Sequence, residues 1–266
     1  GRYKLGITAA SGSKTGLKTA FEFALTRKQF SRPITEFAMI KNKFSKMIVK
    51  IWESETVCYA TTGSIDDYAN KLDKKDAKYY DKLQKVIEDH GVEASICKIV
   101  GSETLAYCVD EGVQIYGGAG FIEEYPVAEA YRDERINRIF EGTNEINRLI
   151  ISSITLKKSI MEELPVRDQI FHREENWSPD LSFENHELSK EISIIEFCRS
   201  LTLNVLHELI LKYGQDLKNE QWVLEPFADM ITSFSIMQMG FTRYNQLSES
   251  DHKTKTFPVL KYSLFY

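Results

Sequence analysis

The sequence predicts an all-α fold, and three observations support this prediction. Apolar residues recur at steps of three and four through several long stretches, which is the period of an α-helix. Only 14 glycines and six prolines interrupt the 266 residues. No segment shows the apolar–polar alternation of a half-buried strand. We therefore expect an up-and-down helical bundle in residues 1–163 and a second helical layer in residues 164–266.

The composition excludes several classes of function. The net charge is −5 and no basic stripe stands out, so nucleic-acid binding is not expected. The five histidines are scattered, and no metal site is expected. No signal peptide and no apolar run long enough to span a bilayer is evident. The four cysteines form no Cys-x-x-Cys pair and are predicted to be buried thiols in a reducing compartment: Cys58, Cys97, Cys108 and Cys198.

The first predicted helix spans residues 3–29. Gly12 and Gly16 on its apolar face would let another helix approach closely. Arg2 and Arg27 are 25 residues apart, which in a continuous helix is roughly 37 Å at ~1.5 Å per residue. The two arginines could therefore serve an elongated ligand or two different ligands, but not the same end of one small molecule.

Two further long helices are predicted in the first domain. Ser31 and Pro33 break the first helix, and a second helix is predicted over residues 36–59. The highly charged residues 66–85 are predicted to be a solvated connector or a surface helix. A third helix over residues 86–113 is apolar nearly all round, which is typical of a helix in the middle of a bundle.

Shorter helices over residues 126–138 and 144–161 complete the first domain. Beyond Pro165, a polar linker leads to two more long helices in the extension. The first of these is predicted to stop at Gly214, and the second carries an apolar stripe over residues 223–244. The chain starts without Met and ends on an apolar tip, so we expect both ends to be cuts through a longer protein.

One carboxylate lies in the short break between the last two helices of the first domain. Glu141 follows Phe140, which could partly desolvate it and make it a stronger base. The positive end of the next helix, where Thr143 or Asn144 suits the N-cap, would instead lower the pKa of this carboxylate. The direction of any pKa shift therefore stays open. Gly142 allows a sharp turn and leaves room for another molecule; the alternative is an ordinary loop carboxylate at a helix start.

The residues around this turn resemble the signature of the acyl-CoA dehydrogenase family. That signature reads Gln-x-x-Gly-Gly-x-Gly, then Arg-Asp, then Glu-Gly-Thr before a helix with an Arg. The matching residues are Gln114, Gly117, Gly118, Gly120, Arg132, Asp133, Glu141, Gly142, Thr143 and Arg148. The order of helices over residues 1 to about 160 also resembles the C-terminal helical domain of this family, and the very-long-chain branch is the most similar.

The resemblance implies α,β-dehydrogenation of a fatty acyl-CoA in fatty acid β-oxidation. Glu141 would be the base that removes the Cα proton. Because no side chain accepts a hydride, the Cβ hydride needs a cofactor, which in this family is FAD. The thioester carbonyl would be held by the N–H of Glu141 and by a flavin ribityl hydroxyl. Gly142 would let the thioester lie against the backbone.

The resemblance also assigns residues to substrate and cofactor binding. Gly1 and Arg2 would lie near the thioester end of the substrate, together with Gly142. The expected cofactor contacts are Arg27, Phe30, Gln114, Gly117, Gly118, Thr143, Asn144 and Glu145, of which the first five would meet the FAD of a partner subunit. Ser31 departs from the usual Gly. Ala38 replaces a cofactor-contacting Gln that the very-long-chain branch also lacks.

Partners and location follow from the same resemblance. Cofactor contacts across subunits imply a homodimer or homotetramer, and the expected electron acceptor is electron-transfer flavoprotein. The bacterial cytoplasm is favoured over the mitochondrial matrix. At residues 164–266, very-long-chain members carry a helical extension linked to membrane surfaces. The sequence match there is weak, and without a dense Lys/Arg face we expect only weak membrane contact.

Two other functions are compatible with the same residues. An acyl-CoA oxidase would use the same base but let oxygen reach the flavin. A non-catalytic helical interaction module would retain the motif without the chemistry. Nothing in the sequence supplies the β-domain and N-terminal helical domain that hold most of the flavin in this family, so we expect the isolated chain to have little activity.

Overall fold

The computed structural model describes residues 1–164, 166, 169, 188–247 and 251–265. These residues are almost entirely helical, as predicted. The helices are α1 (Arg2–Thr26), α2 (Ala38–Ala69), α3 (Tyr79–Asp89), α4 (Gly91–Tyr116), α5 (Pro126–Glu134), α6 (Asn144–Ile160), α7 (Ser189–Tyr213), α8 (Gln221–Gln246) and α9 (Asp251–Phe265). A hairpin of strands β1 (Lys28–Gln29) and β2 (Arg32–Pro33) follows α1. Short 3-10 segments cover Ile34–Glu36, Gly117–Phe121, Arg135–Arg138 and Gly214–Asn219.

No helix in these described ranges combines the length and the apolar character that crossing a bilayer requires.

The chain forms two compact units. The first unit contains Gly1–Lys74 and Ile96–Asn144, and the second contains Lys75–Ser95 and Glu145–Tyr266. The chain therefore leaves the first unit after α2 and returns to it within α4. The predicted domain boundary after residue 163 remains a prediction.

In the first unit, α1 packs antiparallel to α2. Lys14 forms an ion pair with Glu55, and further along α1 the ring of Phe21 meets Phe44 edge-on with centroids 5.3 Å apart. Burying these apolar side chains is the main source of stability, at about 25 cal/mol for each Å² removed from water. The buried core shared by α1, α2 and α4 consists of Ala20, Ala24, Phe44, Met47, Ile51, Cys108 and Ile115.

The first unit also places α1 directly against α4, through glycines. A Cβ on Gly6 would lie 2.5 Å from the carbonyl oxygen of Cys97, and a Cβ on Gly101 would lie 2.7 Å from the Cα of Gly6. Only glycine fits at both positions. The sequence predicted a close approach through Gly12 and Gly16. A Cβ on Gly12 would lie 3.3 Å from Leu105 Cδ1 on α4, whereas among the described residues a Cβ on Gly16 would meet nothing within 4 Å.

The ends of the long helices differ from the predicted ones. α1 ends at Thr26 rather than at residue 29, because Lys28 and Gln29 pair with Pro33 and Arg32 in the hairpin. α2 continues ten residues beyond the predicted end at Tyr59. The single predicted helix over residues 86–113 is instead two helices, α3 and α4, that meet at His90.

The second unit packs α6 on α8. The Ser152 hydroxyl donates a 2.6 Å hydrogen bond to the carbonyl of Leu224, and Arg148 pairs with Asp229 at 2.7 Å. Gly214, with φ +52, ends α7 as predicted. α9 was not predicted. The polar linker expected after Pro165 lies outside the described residues.

The prediction of buried thiols holds for three of the four cysteines. Cys58, Cys97 and Cys108 are buried, Cys198 is half-buried, and all four are free. A hydrogen bond to Cys97, followed by burial, raises the pKa of the Cys58 thiol. Burial raises the pKa of Cys108 from 9.0 to about 12. Such thiols stay protonated and unreactive at neutral pH.

Candidate active site

Glu141 lies in a strained turn at the end of the first unit. Its φ is +57 and that of Gly142 is +84, so two consecutive residues adopt the left-handed region. Glycine tolerates this conformation, but for a glutamate it costs about 1–2 kcal/mol. The N–H groups of Ile139 and Phe140 bond to the carbonyl of Ile136, which fixes the approach to the turn. Strain at a polar residue that the surrounding structure imposes is typical of functional positions.

The Glu141 carboxylate is directed at Gly1, the N-cap of α1. A Cβ on Gly1 would collide with both carboxylate oxygens of Glu141. The first turn of α1 therefore meets the turn that follows α5, and it brings Arg2 to the same region. The positive end of a helix favours negative charge, so this is a suitable place for a carboxylate or for an anion that develops on a substrate.

The apolar neighbours of Glu141 do not bury it. Ile139 is 47% exposed and Phe140 is 46% exposed, and Glu141 itself is exposed. This chain alone therefore does not desolvate the carboxylate. Among the described residues, no backbone carbonyl accepts a hydrogen bond from the N–H of Glu141, so this donor can turn to a ligand.

A second carboxylate near the turn, that of Glu134, is buried and paired inside the protein. Glu134 is buried, and its pKa is raised because burial penalises the charged form, while Arg138 beside it opposes the rise. Arg138 Nε lies 3.2 Å from Glu134 Oε1. Because Glu134 is enclosed and paired, Glu141 is the better candidate for a base that meets a substrate.

Asn144 begins α6 and is bonded inside the first unit. It is 4% exposed. Its side-chain oxygen accepts a 2.5 Å hydrogen bond from Lys98 Nζ, and its side-chain nitrogen donates to Ser102 Oγ at 3.1 Å and to Glu103 Oε1 at 3.0 Å. The side chain is therefore occupied within the chain. A cofactor contact of Asn144 would use its backbone N–H, which belongs to the first turn of α6.

The other predicted residues of this turn have different degrees of exposure. Gly142 is exposed and Thr143, just before α6, is half-buried; Glu145, in the first turn of α6, is exposed. Their predicted contacts with substrate or cofactor remain predictions.

Arg27 and Phe30 lie at the other end of α1. Phe30 and Ser31 form the two-residue loop of the hairpin, with φ values of +49 and +65. A hairpin loop of this kind favours Asn-Gly or Gly-Gly, so a Phe here is conformationally costly. Phe30 is nevertheless 81% exposed. An exposed aromatic side chain held in strained backbone is unfavourable for this chain alone and favourable for binding another molecule.

The glycine loop after α4 contains Gly117, Gly118 and Gly120, and only Gly120 is closely packed. A Cβ on Gly120 would lie 2.6 Å from the carbonyl oxygen of Val113, so Gly120 is required for packing. A Cβ on Gly117 or Gly118 would meet nothing within 4 Å. Gly117 needs glycine for its φ of +61, whereas no contact with the described part of the chain requires glycine at Gly118. Gln114 beside them is exposed.

The hairpin and the glycine loop lie at the same end of the first unit. The rings of Phe23 and Tyr116 stack with centroids 3.9 Å apart and planes 14° apart, so the C-terminal ends of α1 and α4 are side by side. The 25 residues of α1 span roughly 37 Å at ~1.5 Å per residue. The predicted site residues of the first unit therefore form two groups, with Glu141, Gly1 and Arg2 at one end of α1 and Arg27, Phe30, Gln114, Gly117 and Gly118 at the other.

Comparison with known proteins identifies the class of protein. Residues 1–156 match the family model described as "Acyl-CoA dehydrogenase, C-terminal domain". The chain belongs to the acyl-CoA dehydrogenase family, as its motifs predicted.

Individual relatives agree with this assignment. The chain is similar to a probable acyl-CoA dehydrogenase of Bacillus subtilis, with 37% identity over 91% of this chain and 41% of the relative. It is 26% identical to the mitochondrial very long-chain specific acyl-CoA dehydrogenase of Bos taurus, over 96% of this chain and 39% of the relative. The chain thus spans about two-fifths of these relatives.

A solved structure matches nearly all of the chain. The acyl-CoA dehydrogenase of Bacillus anthracis, complexed with FAD, superposes with a TM-score of 0.91 at 33% identity. The match covers 99% of this chain and 45% of the other. Both the helical bundle and the helices beyond residue 188 therefore have counterparts in one acyl-CoA dehydrogenase.

Sequence reasoning missed Lys98, although a signal was present. Lys98 and Ser102 are polar residues one turn apart on a helix that is otherwise apolar nearly all round. A lysine on such a helix has to find a buried partner, and here Asn144 is one.

Proposed function

We propose that this chain is the C-terminal part of an FAD-dependent acyl-CoA dehydrogenase and that Glu141 is its catalytic base. The observation that supports this most directly is the left-handed turn that directs the Glu141 carboxylate at the first turn of α1. In a member of this family, that is the glutamate of the Glu-Gly-Thr motif.

The proposed chemistry assigns one step to each group at this end of α1. A carboxylate oxygen of Glu141 takes the proton from Cα of a fatty acyl-CoA. The electrons of the broken Cα–H bond form the new Cα–Cβ double bond as a hydride leaves Cβ. FAD, when bound, supplies the acceptor for that hydride. The N–H of Glu141 donates to the thioester carbonyl and stabilises the negative charge that develops there. Gly142, without a side chain, leaves room for the thioester.

The other end of α1 fits the edge of a flavin dinucleotide. Arg27 offers a guanidinium to the pyrophosphate, and the exposed ring of Phe30 offers an apolar face. Gly117 and Gly118 leave open space next to the exposed Gln114, so a cofactor could approach the backbone closely. The roughly 37 Å between the two ends favours two different FAD molecules, one of which belongs to a partner subunit.

Partners and location follow from this arrangement. Sharing of FAD across subunits requires at least a homodimer, and a homotetramer is compatible with it. Electron-transfer flavoprotein is the proposed acceptor of electrons from the reduced enzyme. The similar Bacillus subtilis protein favours the cytoplasm of a bacterium over a mitochondrial matrix.

The test is Glu141→Gln in the full-length protein that carries this chain. We expect a loss of about 100-fold or more in the rate at which a long-chain acyl-CoA bleaches the flavin without air, because the base is removed. Glu124→Gln, which changes an exposed glutamate in the same unit, should retain the wild-type rate. Unchanged turnover in Glu141→Gln would instead favour a non-catalytic module. Stoichiometric peroxide from the wild type in air would favour an oxidase.

A further inference from the structure

Lys98 is a completely buried lysine whose ammonium group lies beneath the turn that carries Glu141. It is 0% exposed, and its Nζ lies 2.5 Å from Asn144 Oδ1. We propose that Lys98 is a positioning residue for the catalytic base, because it holds Asn144 and thereby fixes the turn that starts at Glu141. This inference rests on the proposed function.

A lysine in this position needs a reason, because burying an ammonium group is costly unless it is well compensated. The compensation is a connected polar network. Asn144 accepts a hydrogen bond from Lys98 and donates two hydrogen bonds, to Ser102 Oγ and to Glu103 Oε1. Through the amide of Asn144, the network thus joins a buried ammonium group to a carboxylate. Lys98, Ser102 and Asn144 are buried, and a buried hydrogen-bond network of this kind rigidifies the residues that it contains.

The turn needs an anchor on the side of α6. Glu141 and Gly142 both have positive φ, and a glutamate leaves this conformation readily unless its surroundings impose it. Before the turn, the N–H of Phe140 bonds to the carbonyl of Ile136 at 3.1 Å. After the turn, Asn144 is held from α4 by Lys98. Only three residues separate these two anchors, so a movement of Asn144 is transmitted to Glu141.

Lys98 itself cannot touch the substrate. Its side chain is fully enclosed, whereas Glu141 is exposed. Lys98 therefore acts through Asn144, and the two residues form one functional unit. Residues that act as a unit show strongly non-additive effects when both are changed.

The experiment compares Lys98→Met, Asn144→Leu and the double variant in the full-length holoenzyme. For Lys98→Met we expect kcat to fall roughly 10–100-fold, because a displaced base is less effective, while KM for a long-chain acyl-CoA stays within about threefold, since uniform binding is unaffected. The double variant should be no slower than the slower single variant. Amide hydrogen exchange should become faster in residues 139–144.

Two further variants separate positioning from simple loss of stability. Ile96→Val removes one methyl group from a buried neighbour on α4 and should lower the melting temperature without changing kcat or exchange at residues 139–144. Lys98→Gln keeps an N–H donor for Asn144 without the charge and should recover part of the kcat. It also serves as the foldable variant if Lys98→Met does not fold.

The outcomes distinguish this inference from the proposed function. Full kcat and unchanged exchange in Lys98→Met or Lys98→Gln would overturn the positioning role. Additive losses in the cycle, or an equal loss in Ile96→Val, would overturn it as well. Wild-type turnover in Glu141→Gln, or stoichiometric peroxide from the wild type in air, would overturn the proposed function instead.

Discussion

Phe23 and Tyr116 stack face to face with their ring centroids 3.9 Å apart. This pair joins the last turns of α1 and α4; Arg27 directly follows α1, and Gln114 lies in the last turn of α4. The stacked pair and a 3.4 Å hydrogen bond from the Tyr116 hydroxyl to the carbonyl of Thr19 therefore help to hold the two predicted halves of the cofactor surface side by side.

Phe23→Leu should weaken FAD binding by shifting these ends. A stacked aromatic pair contributes about 1 kcal/mol beyond burial, so the loss in stability should be modest and the loss in FAD affinity several-fold. Urea unfolding and titration of apoprotein with FAD measure the two effects. Phe21→Leu, which removes an edge-on contact to Phe44 on α2, should lower stability similarly but leave FAD affinity unchanged. Equal losses of FAD affinity in both variants would contradict the prediction.

Gly1→Ala should move the base. The new methyl group would collide with the Glu141 carboxylate, and the flexible carboxylate is the part that gives way. We expect kcat to fall about 10–100-fold, since small misplacements of a catalytic group have large effects, with little change in melting temperature. Gly16→Ala, with nothing within 4 Å of the new methyl group, is the control. It should stabilise α1 by about 0.5–1 kcal/mol and leave kcat unchanged. An unchanged kcat in Gly1→Ala would show that the carboxylate adapts without consequence.

Gly120→Ala should lower the stability of the fold, whereas Gly118→Ala should lower the affinity for FAD. A Cβ on Gly120 would clash with the backbone of Val113, so this change should destabilise the fold by about 1–3 kcal/mol. Among the described residues, the new methyl group of Gly118→Ala meets nothing within 4 Å. This change should leave stability unchanged, while FAD affinity falls roughly 10-fold because the ligand loses space. Thermal unfolding of the apoprotein and FAD titration test the pair. Wild-type FAD affinity in Gly118→Ala would exclude close approach of the cofactor at this loop.

Alkaline pH should destabilise the fold through Cys108. The pKa of its buried thiol is raised from 9.0 to about 12, so the unfolded chain releases this proton at lower pH than the folded one. The stabilising effect is fully present below pH 9 and is lost as pH rises towards 12. In this window each such thiol lowers the unfolding free energy by about 1.4 kcal/mol per pH unit. The unfolding free energy, measured by urea unfolding between pH 8 and 11, should fall less steeply with pH in Cys108→Ala than in the wild type. An unchanged pH dependence would be inconsistent with this cause.

Much of the fold was predictable because helix period and breakers are local signals. Gly214 ends α7 where a glycine with positive φ was expected. The end of α1 was not predictable, because the hairpin pairs Lys28 with Pro33 across a Phe-Ser loop that lacks the usual glycine. The break at His90 was missed as well; there the ring Nδ1 lies 2.7 Å from the carbonyl of Val86.

The candidate site was predictable to the level of its motif and not beyond. Spacing placed Glu141 and Gly142 in a turn before α6, and the structure confirms that location. The contact of Glu141 with Gly1 joins residues 140 positions apart, and no local pattern encodes it. The same holds for Lys98 and Asn144, since the partner of a buried lysine depends on how α4 packs.

The length of α1 has a consequence for mixed assemblies. Under the proposed function, the base and the cofactor-binding hairpin lie at opposite ends of α1, so a single polypeptide would contribute to two reaction centres in different protomers. A hybrid dimer that pairs a Glu141→Gln protomer with an Arg27→Ala protomer would then contain one centre with both defects and one with neither. Two chains that are each inactive on their own would together form one active centre. This is intersubunit complementation, and it arises from the geometry of one helix.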